Sequence, residues 1–236
     1  MITAHPGIEL VHRFFSGTGY TYEPIATLCT FGFDRWWKRE ILKKIPKGSV
    51  RIMDQGCGTG LLTFQIARRF PRSRIVGLEL RDEYLTIARE KARDRKISNV
   101  EFILGRAEDF LTEEKFDCIT SSYLAKYVEL RELIGNMQAM LQEAGVVILH
   151  DFTYPRHSGF ARIWEFYFRL LQAIGSRIFP QWKTVFQELP ALIRERRWME
   201  EAMDLLVEYG FREIQRQTLT GGSSGILSAR KGTSSS

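Results

Sequence analysis

At 236 residues, 44% hydrophobic and 26% charged, the chain has the length and profile of one water-soluble globular domain with a full core. No apolar run approaches ~18 residues, and Met1–Pro6 lacks a basic region followed by an apolar core, so neither a transmembrane helix nor a secretory signal is expected. The net charge of +6 admits nucleic acid, an anionic membrane surface or an acidic substrate, but the basic residues are dispersed and no nucleic-acid-binding module is recognisable. Cys29, Cys57 and Cys118 are far apart, odd in number and without metal-ligand spacing. Neither a disulfide framework nor a metal site is expected, and a reducing cytoplasm is the default location.

Gly7–Phe15 reads as a short helix and Phe15–Tyr20 as a loop; Tyr22-Glu23 precede Pro24 and the apolar run Ile25–Phe31. Asp34 suits the N-cap of a helix from Arg35 to about Lys44, with Trp37 and Ile41 on one face, and Pro46-Lys47-Gly48 ends it. Residues 1–45 thus form a helical segment ahead of the first strand, expected to fold over a ligand as a lid.

The next stretch, Val50-Arg51-Ile52-Met53-Asp54-Gln55-Gly56-Cys57-Gly58-Thr59-Gly60, is an apolar run, an acid and glycines at alternate positions, followed by a helical pattern to Phe70. Strand, glycine turn and helix make a βα nucleotide-binding turn, where glycine accepts positive φ and lets a ligand lie on the backbone. Leu61-Leu62 follow where a phosphate-binding loop needs Lys-Ser/Thr. Asp54-x-Gly56-x-Gly58-x-Gly60 resembles motif I of the class I S-adenosylmethionine (SAM) methyltransferases, which implies a cofactor seated on the glycines with Asp54 near its amino-acid end. A second apolar run, Arg74–Glu79, ends in an acid placed to accept hydrogen bonds from ribose hydroxyls. Cys57 reads as a small residue in a tight turn.

The alternation continues with a helix over 82–95, strands over 100–104 and 116–121, a helix over about 129–142 and a strand over 146–151. Residues 46–155 form the core of the domain. Residues 156–198 break the pattern: from Phe160 to Ile174 a helix is apolar over most of its girth, with Arg162, Glu165, Arg169 and Gln172 as a narrow polar stripe. Two readings stay open, a helix buried against the sheet and a cap over a greasy substrate pocket that touches lipid. In 199–231 a helix ending near Gly210 precedes strands at 211–219 and 225–230, joined by a Gly221–Ser224 hairpin loop. Residues 232–236 are expected to be a disordered tail.

Tyr22-Glu23, Phe31–Lys38, Leu149–Pro155, Gly210-Phe211 and Leu219–Gly222 resemble signatures of the ubiquinone/menaquinone biosynthesis C-methyltransferases over nearly the whole chain. The resemblance implies a Rossmann-like class I methyltransferase fold: α/β, with a seven-stranded, mostly parallel sheet, helices on both faces and an antiparallel C-terminal strand. It also implies SAM as cofactor, S-adenosylhomocysteine as product, and a site built from Asp54, Gly56, Cys57, Gly58, Gly60, Glu79, Leu80, Ala107, Glu108 and Ser122. The acceptor it implies is a ring carbon of a reduced quinone with an isoprenoid tail; another small hydrophobic or aromatic metabolite is the alternative. Such a carbon becomes nucleophilic when an adjacent hydroxyl loses its proton, and Tyr22, Lys126, His150 and Asp151 are the candidates to assist. Each of the four has a structural alternative, an internal hydrogen bond or a solvated charge. Peripheral membrane contact and a monomer or homodimer are expected, without nucleic acid. The sequence departs from the family at Glu23, at Tyr123–Val128 and at Arg106, where an acid would meet the adenine amino group and Glu108 or a backbone carbonyl must substitute.

Overall fold

The computed structural model describes residues 6–233 and shows why the apolar runs after residue 50 are strands. In β1 (Arg51–Gln55), β2 (Arg74–Glu79) and β4 (Phe116–Ser122) consecutive side chains are buried. Ile52, Ile75 and Cys118 enter one core layer, and Met53, Val76 and Ile119 the other. Burial on both faces is what a parallel sheet between helical layers demands. With β3 (Val100–Leu104), β5 (Leu141–Phe152), β6 (Phe211–Leu219) and β7 (Ser224–Lys231), the strands form a seven-stranded sheet in the order β3-β2-β1-β4-β5-β7-β6. Only β7 runs antiparallel, against both β5 and β6. This is the expected Rossmann-like fold. Its strand order reverses between β1 and β4, which places the ligand crevice above their C-terminal ends.

On one face pack α3 (Asp34–Lys44) and α4 (Thr63–Arg69), through Trp37, Ile41, Ile66 and Ala67. On the other lie α6 (Leu130–Met140) and α10 (Trp198–Glu208), through Leu133, Met137, Ala202 and Leu206. α5 (Asp82–Asp94) packs beside β2 and β3. A third cluster joins α1 (Pro6–Phe15), α2 (Tyr22–Cys29), α7 (Ser158–Leu170) and α9 (Lys183–Glu195), through Phe14, Ile25, Trp164, Phe168, Phe186 and Leu189. Between α7 and α9 the chain passes through a π turn (Leu171–Gly175), the short α8 (Ser176–Ile178) and a 3-10 turn (Pro180–Trp182). Among the described residues no helix is long and apolar enough to cross a membrane.

Four local expectations are corrected. Asp34 lies inside the first turn of α3 and caps nothing. Its buried carboxylate turns inward to Lys38 Nζ at 2.9 Å and the Tyr123 hydroxyl at 2.6 Å, because a cation four residues away in a dry site outcompetes a solvated backbone N–H. The helix expected from residue 60 begins at Thr63, since the last glycine still belongs to the turn. The helix expected to reach 142 stops at Met140: Leu141 pairs with Phe116, and the chain kinks through Ala144 (φ 59°) before Val146 takes its register on Cys118. α7 is not buried all round. Ala161, Trp164 and Phe168 face the third cluster, whereas Ile163, Phe166 and Leu170 face solvent. Of the tail expected to be disordered, residues 234–236 lie outside the described residues.

Gly60 is where the turn meets α4. Its φ is 86°, and a Cβ there would lie 2.4 Å from the Phe64 ring. Gly60→Ala is therefore expected to lower the unfolding free energy by on the order of 2 kcal/mol, from left-handed strain and the clash together. Urea denaturation checks this; wild-type stability in the variant would contradict it.

Candidate active site

Gly56 and Gly58 hold φ of 70° and 56°, a conformation open to glycine and strained for other residues. The N–H groups of Gly56 and Cys57 both donate to the Leu78 carbonyl, at 2.8 and 3.0 Å, and this ties the turn to β2. Glu79, at the end of β2, accepts the Gly58 N–H at 2.9 Å on one oxygen and the Arg81 N–H at 3.0 Å on the other. Burial raises the pKa of this carboxyl, and those backbone donors oppose the rise. Each oxygen keeps a further lone pair for a ligand hydroxyl.

Two cavities adjoin above the strand ends and share Val11, Gly56, Glu79, Leu124 and Tyr127. The smaller runs past Leu80, Ala107 and Glu108. The larger runs past Gly58 and Ser122 into an apolar chamber that includes Phe15, Tyr22, Phe152 and Trp182. A Cβ on Gly58 would meet only Tyr84, at 3.8 Å, so the bare backbone at that position opens onto free space. The arrangement fits SAM: an acid for the ribose, a side-chain-free turn for the amino-acid end, and an apolar slot past Leu80 and Ala107 for the adenine.

Seven of the ten expected cofactor residues are therefore placed on the cavities: Gly56, Gly58, Glu79, Leu80, Ala107, Glu108 and Ser122. Asp54, Cys57 and Gly60 are not. The Asp54 carboxylate is held behind the turn by the hydroxyls of Thr63 (2.6 Å) and Thr120 (2.8 Å), so it fixes the turn rather than facing the crevice. The Cys57 thiol is buried and its pKa is raised well above the ordinary value, first by desolvation, which keeps it unreactive. At the adenine end Arg106 folds back onto Glu108 (3.0 Å) and Asp109 (3.2 Å), so the Glu108 carboxylate already has a partner.

Of the four catalytic candidates, Tyr22 and Lys126 line the larger cavity, and His150 and Asp151 stand one layer behind it. Lys38 Nζ donates to Ser122 Oγ at 3.1 Å, which leaves the Ser122 hydroxyl proton for His150 Nδ1 at 2.8 Å. His150 Nε2 then carries the ring proton and donates to Ser224 Oγ at 2.9 Å. Burial, then Lys38 and Lys126, push the His150 pKa well below 6.5. With both nitrogens occupied, this neutral ring is no free base. Asp151 is fully buried and receives Lys126 Nζ at 2.7 Å, with the backbone N–H groups of Lys126 and Phe152 at 3.1 and 2.7 Å.

Between the two lysines stands Tyr123, at φ 68°. Its N–H donates to the His150 carbonyl at 2.8 Å and its ring stacks on Phe152 at 4.9 Å. Lys38 Nζ lies 4.1 Å from the ring centroid. Asp34, Lys38 and Tyr123 were not found by sequence reasoning; the available signal was an acid and a lysine four apart inside an aromatic helix.

Glu23 is another residue whose role the sequence did not disclose. It accepts from Thr59 of the glycine turn at 3.0 Å and from Lys91 of α5 at 2.7 Å, and so pins α2 to the core. Glu83 does the same for the loop before α2, through the N–H groups of Gly17 (3.1 Å) and Gly19 (2.9 Å).

Residues 46–205 match the family model described as "Methyltransferase domain". The chain belongs to the methyltransferase domain family. Its relatives include the ubiquinone/menaquinone biosynthesis C-methyltransferases UbiE of Citrifermentans bemidjiense (28% identical, covering 91% of this chain and 93% of that one) and Geobacter sulfurreducens (29%, covering 95% and 89%). The demethylmenaquinone methyltransferase of Listeria monocytogenes is 24% identical over 92% of this chain and 93% of its own. Among solved structures, the SAM-dependent methyltransferase SibL superposes with a TM-score of 0.62 at 15% identity over 86% of this chain, which spans 57% of SibL's length. The N-methyltransferase NodS of Bradyrhizobium japonicum gives 0.58 at 16% identity, covering 85% of this chain and 97% of NodS. The methyltransferase thus has the class I fold of SAM-dependent enzymes, and its glycine turn and Glu79 fit that cofactor.

In this methyltransferase burial raises the Asp54 carboxyl from 3.8 to about 6, against the opposing effect of Thr63, Thr120 and Lys38. A raised native pKa means the folded state binds the extra proton. The group's contribution to stability is therefore present at low pH and lost as pH climbs through about 6. Asp54→Asn cannot ionise. Its stability relative to wild type is expected to rise by on the order of 3 kcal/mol between about pH 4 and about pH 7.5 in urea denaturation. A difference that does not change with pH would contradict this.

Proposed function

We propose that the protein transfers a methyl group from SAM to a ring carbon of a reduced quinone of the demethylmenaquinol type, carrying an isoprenoid tail. The observation that carries this reading is the larger cavity, where aromatic and aliphatic side chains surround the Lys126 ammonium within reach of the glycine turn. The names of the relatives support the same acceptor class.

SAM supplies an electrophilic methyl on a sulfonium centre. The rings of Phe15, Tyr22, Tyr127, Phe152 and Trp182 wall the chamber and hold a flat acceptor beside the turn. Lys126 has three N–H groups. Two are engaged by the Tyr123 carbonyl (2.8 Å) and Asp151 (2.7 Å), which leaves one for an acceptor oxygen. Burial lowers the Lys126 pKa toward that of a ring hydroxyl, while Asp151 favours the protonated amine. The ammonium can donate its remaining N–H to the acceptor oxygen and stabilise the oxyanion left when the hydroxyl proton goes to solvent. The oxyanion's electron density reaches the ring carbon, which accepts the methyl and then sheds its own proton to solvent. In this reading His150 and Asp151 position rather than react, and residues 6–45 and 156–198 serve as a lid that Glu23 and Glu83 latch. An acceptor with a lipid tail resides in a membrane, so the proposal includes peripheral contact with a bilayer.

The test is mass spectrometry of quinols incubated with enzyme and SAM under reducing conditions. A gain of one methyl on the ring is expected; transfer only to a water-soluble phenol or amine would overturn the acceptor. The double variant Lys126→Met/Asp151→Asn removes both buried charges and leaves neither unpaired. It is expected to lower kcat by roughly 100-fold or more with SAM affinity nearly unchanged. Undiminished turnover would exclude Lys126 from the chemistry.

A further inference from the structure

α7 uses only part of its surface to pack. Ala161, Trp164 and Phe168 are buried against α9, but Ile163 (62% exposed), Phe166 (63%), Leu170 (42%), Ile174 (48%) and Ile178 (63%) form a line on the outer face. The line continues onto the loop between α2 and α3. There Phe31, itself 65% exposed and at φ 51°, lays its ring on Tyr167 with centroids 3.8 Å apart. A stripe of large apolar side chains in water is uncommon on a monomer surface unless something covers it.

The charges beside it indicate the covering. Arg162 and Arg169 border the stripe, Arg177 and Lys183 lie at its end, and all four are exposed. Among the described residues no carboxylate pairs with any of them within 4.0 Å. The acid on this helix, Glu165, is taken by the Tyr154 hydroxyl (2.7 Å) and Arg194 (3.2 Å). An apolar helix face edged by unpaired arginines suits the boundary between acyl chains and anionic headgroups. The helices packed beneath the stripe adjoin the site, since Ala26 and Cys29 of α2 and Val185 and Leu189 of α9 line the larger cavity.

We propose that the outer face of α7–α8, with Phe31, is a docking surface for an anionic lipid bilayer. This deepens the function proposed above, whose acceptor carries a lipid tail, but its readout is binding rather than turnover.

The full-length protein is mixed with phosphatidylcholine vesicles with or without phosphatidylglycerol and floated through a density gradient. Recovery with the phosphatidylglycerol vesicles is expected to exceed that with phosphatidylcholine by at least ~10-fold in affinity, as four basic side chains at an anionic surface imply. Ile163→Asp/Phe166→Asp/Ile174→Asp is expected to reduce binding to both by at least ~10-fold through loss of apolar insertion, with SAM affinity and thermal midpoint retained because these side chains are solvent-exposed. Arg162→Gln/Arg169→Gln/Arg177→Gln is expected to abolish the preference for phosphatidylglycerol. No vesicle binding by wild type, or unchanged binding by the Asp variant, would overturn the proposal. So would a concentration-dependent dimer in sedimentation velocity that the Asp variant abolishes, which would assign the face to a second copy. Vesicle binding without quinol turnover would leave this surface standing and remove only the acceptor reading.

Discussion

Two ammonium groups lie almost without water on either side of one tyrosine ring, and much of the architecture above the sheet follows from keeping both neutralised. Lys38 and Lys126 are each nearly inaccessible, and each has a single carboxylate, Asp34 and Asp151 respectively. An unpaired charge at such depth costs several kcal/mol; Asp34 meets Lys38 within α3, and the same carboxylate accepts from Tyr123 beyond the end of β4, which ties the helix to the sheet. Tyr123 holds a left-handed backbone, a conformation that costs on the order of 1–3 kcal/mol by itself, and its N–H donates to the His150 carbonyl. The same ring, stacked on Phe152, forms part of the chamber wall. Charge compensation in the interior and the shape of the chamber thus meet at one ring.

The core of this arrangement was readable in the residues alone, because each part depends on local chemistry. Gly56 and Gly58 declare positive φ, Glu79 declares a strand end, and consecutive apolar residues declare a strand covered on both faces. What the sequence concealed depends on contacts between distant segments. Asp34 has every local attribute of a helix cap, and its inward turn to Lys38 is completed by Tyr123, 89 positions away in the chain. His150 and Asp151 sit at the end of a strand where ligands bind, yet Ser122, Ser224 and Lys126 occupy them from neighbouring elements. α7 misleads for the opposite reason. Its composition is that of a buried helix, and whether a neighbour covers the second face cannot be read from the helix itself.

The layer above the strand ends is attached by aromatic contacts, Phe15 and Tyr22 meeting Tyr84 and Phe14 and Phe15 meeting Tyr127, and by specific polar ones. Glu23 and Glu83 each bridge two elements, and the indole N–H groups of Trp182 and Trp37 reach Thr21 and Thr220 at 2.8 Å each. Such contacts are directional and individually modest, about 1 kcal/mol for a neutral pair, so they fix where the layer rests without welding it shut. The apolar cluster of Phe14, Trp164, Phe168 and Phe186 joins the helices of the layer to one another, and Tyr127 and Phe152 pack against it from below.

The π turn at Leu171–Gly175 sets a rule of length on this region. An α-helix advances about 100° per residue, so side chains spaced by four drift about 40° at each step around the axis. Leu170, Ile174 and Ile178 have that spacing, and the slower winding of the π turn cancels the drift that would carry the later two away from Phe166. A π turn amounts to one residue inserted into an α-helix. Winding the same residues as plain α-helix would swing Ile178 by about 100° about the axis, whereas removing one residue between 171 and 175 would restore ordinary winding and leave Ile178 facing the same side. A one-residue deletion is thus the mild change in this stretch, and a substitution that draws the turn into plain α-helical winding at constant length is the severe one.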